Sequence, residues 1–307
     1  MTKILAITGG VGGAKLALGL SQVLTSDEIL FLVNTGDDFQ HLGLEISPDL
    51  DSLIYALSGT NNPELGWGRE NETWACITEL EALGAESWFR LGDRDLALHI
   101  VRTQMLNQGA TLQDVADKLC KALGVDHRIA PMSNDKISTT VNTADGKLPF
   151  QEYFVREKCE PTVIDFHFEG IEKSNPNPVV MSWLDECDGI IICPSNPYVS
   201  VDTILSVPQY REVFQSKPVI AVSPIVGGLA IKGPAAKMMQ ELGVPPTPTA
   251  VAKHYGSLLS GFVLDQTDHE QVKDIPIPSI VTQTIMLTLQ DRIALAEQCV
   301  RFLEEMT

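Results

Sequence analysis

The run KILAITGGVGGAKLALGL, Lys3 to Leu20, reads as a strand, a glycine loop and a helix in immediate succession. Lys3 to Thr8 is a short apolar stretch rich in strand formers, and Gly9-Gly10-Val11-Gly12-Gly13 cannot continue it. Ala14 to Leu24 then carries Leu16, Leu18, Leu20 and Val23 among small residues, the pattern of a buried helix. A second continuous apolar run, Ile29 to Val33, ends in Asn34-Thr35-Gly36-Asp37-Asp38. Two uninterrupted apolar strands around a helix predict a βαβ unit in a parallel sheet covered on both faces. The same style returns at Gly189 to Cys193 and at Pro218 to Ser223, then at Phe262 to Leu264 before a last helix near Leu287 to Leu303.

The segment between has a different texture. Asn71 to Leu83, Asp93 to Gln108 and Leu112 to Leu123 read as helices, with Gly84, Gly109 and Gly124 just beyond their ends. Ile137 to Val155 reads as strands turning at Asp145-Gly146. The expectation is an α/β chain with a Rossmann-like, mostly parallel sheet flanked by helices. Its nucleotide-binding core would comprise residues 1–60 and 185–307. A smaller α+β insertion at 61–184 would complete the cleft.

The 307 residues are 44% hydrophobic and 20% charged, which excludes intrinsic disorder. Forty acidic against 22 basic residues give a net charge of −18, a surface that repels nucleic acid and anionic membranes. Six scattered cysteines without CxxC spacing read as reduced thiols, and Cys193 as a core residue. The opening strand lacks the pattern of a signal peptide, and no apolar run approaches a membrane span. A cytoplasmic protein without nucleic-acid or membrane partners is expected.

A glycine loop between a strand and a helix can hold a phosphate on backbone N–H groups, with Lys15 beside it. Neither nucleotide fingerprint is complete: Lys15 stands where GxGxxG needs its third glycine, and no GK[ST] follows. A tight turn needing glycine for geometry alone is the competing reading. Three aspartate doublets, Asp37-Asp38, Asp49 with Asp51, and Asp93 with Asp95, follow strands or open helices. Asp49 and Asp93 could each simply cap a helix. Oxygen ligands without a His/Cys cluster favour Mg²⁺ over zinc, and the doublet that holds the ion stays open at this level. His99 lies four residues after Asp95, and Arg90, Arg94 and Arg102 form a basic island. His41 follows Phe39 and Gln40 in a polar loop, whereas His254 beside Tyr255 reads as structural. Trp67 and Trp74 sit beside glycines, either to stack on a planar heterocycle or to anchor a loop.

GGVGGAK (Gly9–Lys15), NTGDDFQHLGLEISPDLD (Asn34–Asp51), GWGRENETW (Gly66–Trp74), RLGDRDLALH (Arg90–His99), PMSND (Pro131–Asp135), PSNP (Pro194–Pro197) and SPIVGG with GPAAK (Ser223–Lys237) occur in that order. This ordered set resembles the 2-phospho-L-lactate transferase family of coenzyme F420 biosynthesis. The resemblance implies a Mg²⁺-dependent homodimeric transferase that joins a phospho-acid to the ribityl hydroxyl of the deazaflavin Fo (7,8-didemethyl-8-hydroxy-5-deazariboflavin). The donor would be a guanosine-diphosphate-linked acid, and GMP would leave. The acid could be phospholactate, phosphoenolpyruvate or phosphoglycerate.

By the same resemblance Asp51 and Arg90 would bind Fo. Gly10, Gly12, Gly13, Lys15, Ser195, Asn196, Ser223 and Gly227 would hold the nucleotide. Asp37 or Asp38, with a second doublet such as that of Asp49, would carry Mg²⁺, and Asp51, Asp37 and Asp38 would be the catalytic carboxylates. The rival readings are a nucleotide- or sugar-nucleotide-binding regulator of carbon metabolism from the same superfamily, a guanine-nucleotide sensor, and a nicotinamide oxidoreductase. The broken fingerprint disfavours the last.

Overall fold

A computed structural model describes residues 2–62, 65–230 and 233–306. The chain begins with β1 (Ile4–Thr8), α1 (Gly10–Val23) and β2 (Ile29–Val33), followed by a short hairpin of β3 (Phe39–His41) and β4 (Leu44–Ile46). Next come α2 (Pro48–Ser58), α3 (Ala75–Ala82), α4 (Asp93–Asn107), α5 (Leu112–Ala122) and β5 (Arg128–Pro131). Strands β6 (Ser138–Thr143), β7 (Gly146–Pro149) and β8 (Val163–Glu169) make a small antiparallel sheet in the order β7-β6-β8. Helix α6 (Pro178–Glu186), β9 (Gly189–Ile192), α7 (Asp202–Ser206), α8 (Tyr210–Gln215) and β10 (Val219–Val222) return to the core. A hairpin of β11 (Ile225–Val226) and β12 (Leu229–Ala230) precedes α9 (Ala235–Glu241) and α10 (Pro248–Tyr255). The chain closes with β13 (Gly261–Asp265), β14 (Ser279–Thr282) and α11 (Leu289–Glu304).

Seven strands form the central sheet in the order β14-β13-β10-β9-β1-β2-β5, every neighbouring pair parallel. The chain order reverses between β1 and β9. In an open parallel sheet the crevice beyond that switch point is where ligands bind. Strands β1, β2, β9, β10 and β13 are buried along their whole length because helices cover both faces. On one face Leu16, Leu20, Leu53, Val115, Leu295 and Leu303 form a continuous core. On the other, Ile137, Val141, Tyr153, Trp183, Tyr210 and Phe262 do the same.

Two expectations need correcting. The segment 61–184 does not lie wholly outside the core: β5 pairs with β2 in parallel, in register from Leu30↔Arg128 through Val33↔Pro131. Its neighbours also supply core residues to both faces, so α3 to α5 are a long crossover rather than a separate unit. The run RIAP is too short to be told from a loop by periodicity; only its pairing makes it a strand.

The helix after the glycine loop begins at Gly10, four residues ahead of the expected start at Ala14. Gly10 takes φ +67°, a left-handed conformation that glycine adopts without strain. A Cβ on Gly12 would stand 2.7 Å from the Pro194 carbonyl oxygen. The glycines therefore let α1 start directly against the loop after β9, and tertiary packing overrides their poor helix propensity.

Candidate active site

A cavity of about 580 Å³ opens at the carboxyl ends of β1, β2 and β9. Its floor is the junction of two loops. Gly9, Gly10, Gly12 and Lys15 contribute from the first, and Ser195 and Asn196 from the second. The Gly9 backbone N–H donates to Ser195 Oγ at 2.9 Å, and Asn196 Oδ1 accepts from the Tyr198 N–H at 3.0 Å. The first bond joins the two loops and the second caps the turn after Asn196, while the first amides of α1 stay at the cavity edge, where a phosphate group would be favoured. Lys15 Nζ donates to the Met286 carbonyl at 3.2 Å and lies on the same wall. Ser223 also lines the cavity, its Oγ turned to the Ile225 carbonyl at 2.9 Å.

The acidic wall comes from the loop after β2 and the start of α2. Asp37 and Asp49 both reach the cavity and are 5% and 8% exposed. Asn34 Nδ2 donates to Asp49 Oδ2 at 3.0 Å, and Asn34 Oδ1 accepts from the Gly36 N–H, so one amide ties the two segments together. Burial pushes the Asp49 carboxyl up to about 6 despite that hydrogen bond. Burial and then the neighbouring charge of Asp49 hold Asp37 well above the usual carboxylate range. Asp37 Oδ1 is buried without a hydrogen-bond partner. Two neighbouring carboxylates, one of them with an unpartnered buried oxygen, are an unfavourable arrangement that a cation would relieve.

A further part of the cavity wall is aromatic. Trp67, Trp88, Phe89, Phe150 and Phe154 line it, with Arg90 beside them. Phe150 and Phe154 stack at 5.7 Å, 9° from parallel. Trp88 packs edge-on to His41 at 5.1 Å and carries the Arg156 guanidinium over its ring at 4.7 Å. Trp74 does not line the cavity; it meets Trp67 edge-on at 6.2 Å and supports Arg90 at 5.0 Å.

Of the residues singled out from sequence, the fold brings Gly10, Gly12, Lys15, Asp37, Asp49, Arg90, Ser195, Asn196 and Ser223 to this one cavity. Gly13, Asp38, Asp51 and Gly227 are not on its wall. Gly13 packs beneath the loop against Thr8 and Ser195. Gly227 donates its N–H to Asp268 Oδ2 at 2.9 Å in the β11–β12 turn. Asp38 accepts from Ser47 Oγ at 2.7 Å, and its carboxyl too is pushed well above the usual range by burial. The expected trio Asp37, Asp38 and Asp49 is thus split. Among the described residues no group of three His, Cys, Asp or Glu side chains could hold a metal ion by itself.

Asp51 departs furthest from expectation. Its side chain points into the protein, where the fully buried Arg102 grips both carboxylate oxygens, one of them at 3.0 Å. The Arg102 Nη1 also lies 3.0 Å from His99 Nδ1, and His99 Nε2 lies 3.3 Å from Asp95 Oδ1. Tyr55 donates to the same Asp95 oxygen. Asp51, His99, Arg102, Asp95 and Tyr55 are one buried network joining α2 to α4, directly beneath the acidic wall.

His41 is buried among Phe39, Trp88 and Phe89 and does not reach the cavity. His254 pairs with Asp202 at 2.8 Å, and Cys193 is buried at the end of β9 as a core thiol. Sequence reasoning passed over Trp88, Phe89, Phe150, Gln151 and Phe154. Their only signal was aromatic density in ESWFR and FQEYF; nothing local says that the two runs face each other.

The model of the family described as 2-phospho-L-lactate transferase CofD matches residues 4–277. The chain is 40% identical to a phosphoenolpyruvate transferase of Streptomyces griseus over 99% of both chains. It is 37% identical to a 2-phospho-L-lactate transferase of Methanosarcina mazei over 86% of this chain and 88% of that one. Its fold is similar to that of a UPF0052 family protein from Bacillus halodurans, with a TM-score of 0.65 and 15% identity over 98% of this chain and 99% of the other. On the family match and the relatives' identity over almost all of its length, the chain belongs to the 2-phospho-L-lactate transferase CofD family, a family of transferases.

Proposed function

We infer that this protein transfers a phospho-acid from a guanosine-diphosphate-linked donor to the ribityl hydroxyl of Fo, in coenzyme F420 biosynthesis. The observation that carries the reading is the polarity of the cavity. One part of its wall is a glycine loop at a helix N-terminus, another is an aromatic slot, and a carboxylate pair shares the wall, with Asp49 set against the glycine loop. A diphosphate suits the first part and a tricyclic ring the second, which leaves the ribityl chain and the reacting phosphorus at the carboxylates.

In the reaction the hydroxyl oxygen forms a bond to the phosphorus bearing the acid. The anhydride P–O bond breaks, GMP departs with that oxygen, and one proton is released. Phosphoryl-type transfer asks for in-line positioning and neutralised charge more than for covalent work by the protein. Amides of the glycine loop and Lys15 would steady the leaving phosphate, with Ser195 holding that loop in place through the Gly9 N–H and Asn196 capping its own turn. Arg90, backed by Trp74, would meet the acceptor. Asp37 and Asp49 have the all-oxygen donor set and the unpartnered buried oxygen that suit Mg²⁺, with the donor's phosphate oxygens completing the shell. When bound there, Mg²⁺ would neutralise charge that develops on the transferring group. Asp38 and Asp51 would act by shaping this wall rather than by touching substrate.

The relatives' names put phosphoenolpyruvate and 2-phospho-L-lactate first among the acids to try. The decisive experiment incubates the protein with Fo, Mg²⁺ and each guanylylated acid, then identifies the products by mass. A product heavier than Fo by the phospho-acid residue, together with GMP, supports the reading. Nucleotide binding without GMP release refutes it. A homodimer in the cytoplasm, as the resemblance implies, is part of the proposal; light scattering of the purified protein checks the dimer.

A further inference from the structure

Among the described residues lining the cavity, Gln151 and Asn196 carry amide side chains, and Gln151 is the one flanked in sequence by aromatic wall residues. It stands between Phe150 and the stacked Phe154, is 5% exposed and lines the same space as Trp88 and Phe89. Among the described residues its amide has no hydrogen-bond partner, and it does not cap the helical turn Glu152–Arg156 that follows it. The amide is not among the polar groups sealed off without a partner; its atoms open onto the cavity, where no described protein group competes for them, so they are available to a ligand atom. A primary amide offers an acceptor oxygen and two N–H donors side by side. Its complement is a ring edge on which a carbonyl and an N–H are adjacent, as in an imide.

We propose that Gln151 is a specificity-determining residue that reads the imide edge of the acceptor's planar ring while the surrounding aromatic side chains take its faces. Oε1 accepts from the ring N–H, and an Nε2 hydrogen is donated to the neighbouring ring carbonyl. This rests on the deazaflavin reading above and adds the ring's orientation: imide edge inward at Gln151, ribityl chain running back to Asp37 and Asp49. An aromatic slot alone would accept any flat ring, since stacking is tolerant of substituents. A site built around a buried amide rejects a ring lacking the matching groups, because binding would leave that amide unpaired.

The test uses the full-length protein with Mg²⁺, the guanylylated acid and two acceptors: Fo, and an Fo analogue methylated at the imide nitrogen. Wild type should show a KM at least ~10-fold higher for the methylated analogue, the size expected for losing a buried hydrogen bond. Gln151→Leu should raise the KM for Fo to the same level and abolish the discrimination, with the KM for the donor unchanged. Equal KM values for both acceptors in the wild type overturn the proposal without any variant, as does discrimination that survives in Gln151→Leu. A wild-type protein that transfers to neither acceptor refutes the deazaflavin reading itself. That result is distinct from one in which Fo is used and Gln151 is indifferent.

Discussion

Replacing Asp51 by Asn separates two roles that the residue could have. If Asp51 holds the acceptor, as the family resemblance implies, Asp51→Asn weakens acceptor binding and leaves the fold unaffected. If it is the counter-ion of Arg102, as its geometry indicates, the fold suffers first. Arg102 is completely buried, and with the Asp51 charge removed its remaining contacts are His99 Nδ1 at 3.0 Å and the Glu45 carbonyl at 3.4 Å. At 3.0 Å and an effective dielectric of about 20, the Asp51–Arg102 attraction is about 5–6 kcal/mol. Breaking a buried pair from one side typically costs about 3–5 kcal/mol, because a charge is left without compensation. Urea unfolding at neutral pH, followed by circular dichroism and tryptophan fluorescence, should show a loss of that order for Asp51→Asn. Arg102→Met, which strands Asp51 beside His99 at 3.7 Å, should lose a similar amount. The double variant should be more stable than the sum of the two losses, with a coupling of at least about 2 kcal/mol. The reasoning is refuted if Asp51→Asn costs less than about 1 kcal/mol while the KM for Fo rises tenfold or more.

The Asp49 carboxyl titrates at about 6 against an ordinary value near 3.8, so the folded chain binds an extra proton between those pH values. Its stability contribution therefore falls as pH rises through that window, and the penalty is complete above about pH 6. Asp49→Asn should gain on wild type by about 3 kcal/mol between pH 4 and pH 7, and millimolar Mg²⁺ should narrow the gap at the upper end; a pH-independent difference between the two proteins sinks this. Gly12→Ala places a methyl group against the Pro194 carbonyl oxygen at 2.7 Å, so the two loops of the floor must part. A destabilisation of about 1–3 kcal/mol and weakened GDP binding by calorimetry are expected, and unchanged affinity would show the floor is not the nucleotide site. Trp88→Ala removes the ring shared by the His41 cluster and the cavity wall. The KM for Fo should rise roughly tenfold with the donor's KM unchanged; an effect on the donor alone would place the ring elsewhere.

The strands were legible because a parallel sheet buried on both faces demands unbroken apolar runs, and ILAIT, ILFLV and GIII are such runs. The edge strand RIAP was not legible, since four residues carry no period. The glycine loop and the Asp37 and Asp49 loops were found because they directly follow strands or open a helix, where side chains converge. The aromatic wall was missed: Trp88 and Phe150 are 62 positions apart in a segment whose strands and helices say nothing about which sides meet.

Asp51 shows the same division most sharply. Local sequence placed it in the first turn of α2, and there it is. Which way its carboxylate turns depended on Arg102, one helix away. From sequence alone came the parallel α/β core, the phosphate-type turn and the acidic character of the site, all consequences of short-range spacing. Tertiary structure alone decided which carboxylates face the cavity, which are consumed by a buried cation, and where an aromatic slot forms. Those outcomes depend on contacts between distant segments, and no local pattern encodes the distance across a cavity.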